Sequence, residues 1–283
     1  MTSPDFDKPI PDSNSIAFVG GGNMARSLIG AMINGGTQAS AIAVAEPNEE
    51  VRTKLAEDFG VAVFADGVEA VGSADLVMLS VKPQVMRKVC ESLAPVLAKR
   101  RPLIVSVAAG LRIGQIDRWL GGGFPIVRCM PNTPALIGAG ATGMMANPAV
   151  SDAGRVQAAS ILAAAGTMVW VEDEDLMDTV TGISGSGPAY FFLMIEALED
   201  AAVAQGMPRE TARTLAIQTC LGAARMASED AEPPARLRER VTSPGGTTQA
   251  ALNTFIDGGL RELVASAVAA ATRRGREMSS ELD

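Results

Sequence analysis

The chain has no histidine, three cysteines, two tryptophans and one tyrosine among its 283 residues. Without histidine there is no Ser-His-Asp triad and no His-ligated zinc, and the commonest general acid–base group is missing. Chemistry must come instead from a cofactor, a carboxylate, a hydroxyl, a lysine or protonation of the substrate. Cys90, Cys129 and Cys220 stand far apart, are odd in number and form no C-x-x-C pair. They fit buried thiols in a reducing compartment, not a disulfide framework, and no metal site is expected. The net charge of −8 and the lack of a Lys/Arg cluster among aromatics argue against nucleic acid. No stretch approaches about 18 uncharged apolar residues, so no membrane span is expected. Met1 to Asn14 is acidic, contains proline and lacks the basic and apolar regions of a signal peptide. Residues 1–14 are expected to form a flexible arm and the protein to be cytoplasmic.

What is present is 47% hydrophobic sequence, long enough for one large or two medium domains. Ile16-Ala17-Phe18-Val19 reads as a short buried strand. Three glycines break it, and from Asn23 apolar residues return at helical spacing: Met24, Leu28, Ile29, Met32 and Ile33. Strand, glycine turn, helix is the setting in which G-x-G-x-x-A (Gly20, Gly22, Ala25) signals a dinucleotide site. Gly20 allows the tight turn, Gly22 lets backbone approach a pyrophosphate, and Ala25 permits close helix–strand packing. The helix N-terminus then faces the anion.

Further strands are expected at Ile42–Ala45, Leu76–Val81, Leu103–Val107, Pro125–Met130 and Thr167–Val171. Most are separated by helical stretches, which predicts a parallel, doubly wound sheet. Ligands of such sheets sit beyond the strands' carboxyl ends, so Gly20–Met24, Ser80–Pro83 and Val107–Ala109 are expected to share one crevice. Lys82 is read there as either a ligand or a solvated strand-end cation. Glu46 ends the second strand. A carboxylate there either bonds an adenosine ribose, favouring NAD over NADP, or complements the next helix dipole.

After Asp173 the sequence becomes helical, and the boundary of a second domain (174–283) is placed there. The helix expected from Pro188 to Gln205 begins apolar all round, with Tyr190, Phe191, Phe192, Leu193, Met194 and Ile195. A helix with no polar face is buried by its own domain or by a partner chain, which points to a subunit interface. Two loops rich in glycine and hydroxyls, Ile183–Pro188 and Thr242–Thr248, each precede a helix. Each is read as ordinary capping or, taken together, as a carboxylate pocket.

Six motifs occur in order: Gly20-Gly21-Gly22-Asn23-Met24-Ala25, Val81-Lys82-Pro83, Ser106 to Gly110, Arg128-Cys129-Met130-Pro131-Asn132-Thr133-Pro134, Gly185 to Tyr190, and Val241-Thr242-Ser243-Pro244-Gly245-Gly246-Thr247-Thr248. Together the sequence resembles the pyrroline-5-carboxylate reductases, over roughly Ile16 to Val264. The resemblance implies a Rossmann domain followed by an all-α dimerisation domain, often assembled into larger rings. It implies reduction of 1-pyrroline-5-carboxylate to L-proline with NADPH or NADH, the last step of proline biosynthesis. The active site is then expected where one subunit's cofactor domain meets the helices of the dimer. By the same resemblance Val19, Gly20, Gly21, Gly22, Asn23 and Met24 hold the pyrophosphate. Ser80, Val81, Lys82, Pro83, Val107, Ala108 and Ala109 line the path from adenosine to nicotinamide. Ser243, Gly246 and Thr247 hold the substrate carboxylate, and the Thr248 hydroxyl meets the ring nitrogen as the catalytic group. Glu46 stands where a small hydroxylated residue often approaches the 2′-phosphate of NADP. Gly67 stands where some members carry Asn, and Ala231 and Arg240 where some carry Glu and Asn.

The chemistry agrees with the missing histidine. A cyclic imine is basic enough to be protonated without a strong enzymic acid, so the protein need only orient it against the hydride. Two rival readings stand beside this one. A β-hydroxyacid dehydrogenase would carry a catalytic Lys on its first long helix after the sheet, and Pro188–Gln205 has none. A non-catalytic dinucleotide-sensing relative would not need an intact substrate loop.

Overall fold

Alternating apolar residues give the strands two buried faces, and a single sheet collects them. The computed structural model describes residues 15–281, so the arm expected over residues 1–14 lies outside the described residues. The strands are β1 (Ile16–Val19), β2 (Ile42–Ala45), β3 (Ala62–Phe64), β4 (Leu76–Leu79), β5 (Leu103–Ser106), β6 (Ile126–Met130), β7 (Gly140–Ala146) and β8 (Gly166–Trp170). Their order is β3-β2-β1-β4-β5-β6-β7-β8. The first six positions are mutually parallel, the doubly wound order whose reversal lies between β1 and β4.

Ile16 and Phe18 point to one face with Val44, Met78 and Val105. Against that face pack α1 (Asn23–Asn34), α2 (Glu49–Phe59) and α6 (Asp152–Ala163), through Leu28, Ile29, Leu55, Ile161 and Leu162. Ala17, Val19, Val77, Leu79 and Ile104 point to the other face. There α4 (Pro83–Leu97) and α5 (Ile113–Leu120) contribute Met86, Leu93, Leu97, Ile116 and Trp119. The short α3 (Gly67–Val71) begins where Asp66 accepts from Val68 N at 2.6 Å. Burial pushes the Cys90 thiol up to about 12 and raises that of Cys129 further, so both are inert core residues.

The sheet is parallel, as expected, except at β7, which the sequence reading does not include and which runs antiparallel to β6. A parallel return needs a crossover of a dozen or more residues. The link here is one short 3₁₀ turn, Thr133–Ile137. β8 is parallel to β7 again, after the α6 crossover.

By its internal contacts the chain forms two compact units. One holds the chain up to Gly185 together with the residues from Ala271 on; the other is Ser186–Ala270. Asp173, where the sequence changes character, lies inside the first unit. The reason is an ion network around Arg128, buried in β6 with its side chain 4% exposed. Its guanidinium faces Glu174 at 3.2 Å and Asp178 at 3.6 Å, the latter on α7 (Leu176–Val180). Glu174 also accepts from Ile113 N at 2.7 Å and so caps α5. Arg276, near the end of α12 (Leu260–Glu281), reaches Asp178 at 3.8 Å. Nearby, Gln115 donates to the Ser279 carbonyl at 3.1 Å.

The second unit is helical: α8 (Gly187–Ala204), α9 (Arg209–Glu229), α10 (Pro234–Arg240), α11 (Thr247–Asp257) and the first part of α12. Gly206, at φ +92°, ends α8, and Glu199 then receives Arg209 at 2.8 Å and Arg213 at 3.0 Å from α9. These guanidiniums, Arg213 foremost, hold the Glu199 carboxyl below its usual range. The apolar start of α8 is not covered by the described residues: Phe191, Phe192 and Leu193 are each more than 60% exposed. Leu215, Ile217 and Leu221 of α9 are also exposed.

Candidate functional site

The carboxyl ends of β2, β1, β4 and β5 are tied together past the formal strands. Gly20 N donates to the Ala45 carbonyl at 2.8 Å, Ser80 N to Val19 at 2.8 Å, and Val107 N to Leu79 at 3.1 Å. These bonds bring Val19–Met24, Glu46, Ser80–Pro83 and Val107–Ala109 to adjacent strand ends, as the sequence predicts.

The three glycines do different work. Gly20 sits at φ +100°, and a Cβ there would lie 2.8 Å from the Ser80 carbonyl oxygen. At Gly21 a Cβ would strike Leu55 Cδ1 at 2.6 Å. Gly22 is the N-cap of α1 in ordinary extended geometry, φ −69°, and a Cβ would meet nothing within 4 Å. It would project into open space before the helix. The first intrahelical bond is Arg26 N to Gly22 O at 2.9 Å. The N–H groups of Asn23, Met24 and Ala25 thus have no partner among the described residues. No acidic residue stands in that first turn. Ser80 adds a buried hydroxyl with no hydrogen-bond partner at the end of β4. Free amides, an open glycine face and an orphaned hydroxyl fit a bound pyrophosphate.

Glu46 makes a contact that neither sequence reading foresees. Its carboxylate accepts from Gly21 N at 2.9 Å and from Asn48 N at 2.9 Å, and so clasps the glycine turn to the loop after β2. Lys82 is the exposed N-cap of α4, with Pro83 in the first turn. At Gly67 a Cβ would press on Leu93 at 3.2 Å and approach Val19 at 3.7 Å, so a larger residue would crowd the core behind the turn.

In the second unit the loop before α11 is a glycine turn that leads into a helix N-terminus. Gly245 sits at φ +70° and Gly246 is the N-cap of α11. Gly246 N bonds Ser243 O at 3.0 Å, and Ala250 N bonds Gly246 O at 3.2 Å. The amides of Thr247, Thr248 and Gln249, and the hydroxyls of Ser243, Thr247 and Thr248, have no hydrogen-bond partner among the described residues. No side chain caps this helix, so its amides are free for an anion. Arg240 pairs with Asp230 at 2.9 Å and Glu232 at 3.4 Å.

The other glycine loop needs correction. Thr181–Gly185 is a π-helical turn, not an open loop. Ser184 Oγ donates to Val180 O at 3.0 Å, and Ser186 makes no capping bond. A Cβ on Gly185 would lie 2.7 Å from Met130 Cε, so that flexible side chain would have to move aside, whereas a Cβ on Gly187 meets nothing within 4 Å. Asn132 explains part of the motif after β6: it donates to Ser184 O and accepts from Ala141 N, each at 2.9 Å. Sequence reasoning missed the roles of Arg128, Glu174 and Asp178. The available signal was a charged residue in the middle of an apolar strand, which demands carboxylate partners.

A doubly wound sheet with this turn, joined to a helical unit, defines a dinucleotide-dependent oxidoreductase. Residues 174–278 match the family model described as pyrroline-5-carboxylate reductase dimerisation. Residues 15–110 match the model described as NADP oxidoreductase, coenzyme F420-dependent. A pyrroline-5-carboxylate reductase of Pseudomonas aeruginosa is 50% identical over 94% of this chain and 97% of its own length. The chain belongs to the pyrroline-5-carboxylate reductase family. Among solved structures, a pyrroline-5-carboxylate reductase from Coxiella burnetii superposes with a TM-score of 0.91. It is 42% identical, with 94% of this chain and 99% of that one covered. The Plasmodium falciparum pyrroline carboxylate reductase, solved with NADP bound, gives 0.83 at 28% identity, covering 95% and 99%.

Proposed function

We propose that the chain reduces 1-pyrroline-5-carboxylate to L-proline at the expense of NADPH or NADH, the last step of proline biosynthesis. The observation that carries this reading is the loop Ser243–Thr248. Its hydroxyls and helix-start amides are free of internal partners while the loop itself is held in shape. A bound reduced nicotinamide supplies the hydride. The amides of Thr247, Thr248 and Gln249, with the Ser243 hydroxyl, hold the substrate carboxylate by charge-assisted hydrogen bonds. The Thr248 hydroxyl bonds the ring nitrogen and fixes which face of the imine carbon is presented. No enzymic acid is needed, because the imine is protonated on its own nitrogen. The amides of Asn23 to Ala25 hold the cofactor pyrophosphate, with Ser80–Pro83 and Val107–Ala109 along its path.

Thr248→Ala should lower kcat/KM by about threefold to a hundredfold, the worth of one neutral to charged hydrogen bond. NAD(P)H affinity should barely change, and Thr248→Ser should keep most activity. Steady-state kinetics with the cyclic imine checks this; equal rates for wild type and the Ala variant would make Thr248 scaffold only.

The uncovered apolar faces of α8 and α9 form the dimer interface, on which a larger ring can be built. A full-length Phe192→Glu chain should sediment as a monomer. A dimer of that variant at wild-type strength would place the interface elsewhere. Three unpaired thiols suit a reducing compartment such as the cytoplasm.

A further inference from the structure

We propose that Glu46 makes this chain select NADH over NADPH. The inference rests on the cofactor cradle proposed above. Glu46 follows directly on β2, the neighbour of β1 in the sheet, and its carboxylate bonds directly to the amide of Gly21 inside the glycine turn. That is the position from which an acidic residue bonds the adenosine ribose hydroxyls in doubly wound folds, and an arginine nearby accommodates a 2′-phosphate. Each carboxylate oxygen accepts one amide, from Gly21 and Asn48, and keeps a lone pair for a hydroxyl. A 2′-phosphate would instead meet like charge.

The surroundings deepen the bias. The loop after β2 brings two more carboxylates, Glu49 and Glu50, into the first turn of α2. The cations nearby are held only in part, Arg52 of α2 through Nη1 alone, and Lys54 of α2 and Arg26 of α1 in exposed pairs. Arg52 donates to the Glu46 carbonyl at 2.8 Å and the Pro47 carbonyl at 3.0 Å. Lys54 pairs with Glu50 at 2.7 Å, and Arg26 pairs with Asp58. Lys82 follows β4, on the far side of β1 from β2, two strand spacings or about 10 Å away.

Direct binding, read by cofactor fluorescence and by calorimetry on the full chain, tests this without turnover. NADH should bind the wild type at least about tenfold more tightly than NADPH, because like charge at a binding site is strongly unfavourable. Glu46→Gln keeps the volume and one acceptor but removes the charge. Glu46→Ser removes both. In each, the NADH:NADPH affinity ratio should fall by about tenfold or more. A residue that only clasps the turn would weaken both cofactors equally and leave the ratio unchanged, which would overturn the proposal. So would equal or tighter NADPH binding by the wild type. Failure of both cofactors to bind would instead remove the cradle itself, and this proposal with it.

Discussion

Gly22→Val is expected to abolish NAD(P)H binding in a chain that stays folded. The backbone at Gly22 is extended, and a Cβ meets no protein atom within 4 Å. A β-carbon there therefore meets no clash, and the backbone carries no left-handed strain. Its side chain would fill the space in front of the Asn23–Ala25 amides, where the pyrophosphate is held. Gly20→Ala is the contrasting case. At φ +100°, with the Ser80 carbonyl 2.8 Å from the new Cβ, alanine adds backbone strain of about 1–2 kcal/mol as well as a contact with backbone that cannot swing aside. Thermal melts should show Gly20→Ala destabilised and Gly22→Val near wild type, while fluorescence titration shows no cofactor bound by Gly22→Val. A normal titration by Gly22→Val would take the pyrophosphate site away from this turn.

Arg128→Ala is expected to destabilise the first unit by about 3–5 kcal/mol, the usual cost of stripping a buried ion pair of one partner. Glu174 and Asp178, 17% and 8% exposed at their side chains, would be left facing an apolar hole. Arg112, 3.5 Å from Glu174, and Arg276, 3.8 Å from Asp178, remain, which places the loss toward the lower end. Denaturant midpoints of wild type, Arg128→Ala, Asp178→Ala and the double variant check this. The double variant should lose less than the sum of the single losses, because the two residues share one interaction. A loss under about 1 kcal/mol for Arg128→Ala would mean that the network does not anchor residues 174–185 to the sheet.

That network also marks a limit of reading the chain as a string. Six strands are legible as short runs of apolar residues, and the glycine turn is legible because its parts are contiguous. Ala62–Phe64 is too short to show a pattern, and Gly140–Ala146, with two glycines and a threonine, reads as loop rather than strand. The second unit's loop is legible through its resemblance to family members, since glycine and hydroxyls before a helix also describe plain capping. The same description misleads at Ile183–Pro188, where Gly185 gives way to Met130 across the fold, a demand invisible in local sequence. Cutting the chain at Asp173 follows the change in composition, but it would separate Arg128 from both of its carboxylates. Glu46 is the instructive case: its position is readable, whereas its clasp on Gly21 depends on how β2 and the glycine turn pair in space.

Reduction of the cyclic imine by a nicotinamide cofactor is the activity expected of this fold. Its most direct test mixes the purified full-length chain with NADH or NADPH and 1-pyrroline-5-carboxylate, following cofactor absorbance while assaying L-proline. Cofactor oxidation should depend on the imine, with one proline formed per cofactor consumed. A chain that binds the cofactor yet oxidises none of it in the presence of the imine would contradict it.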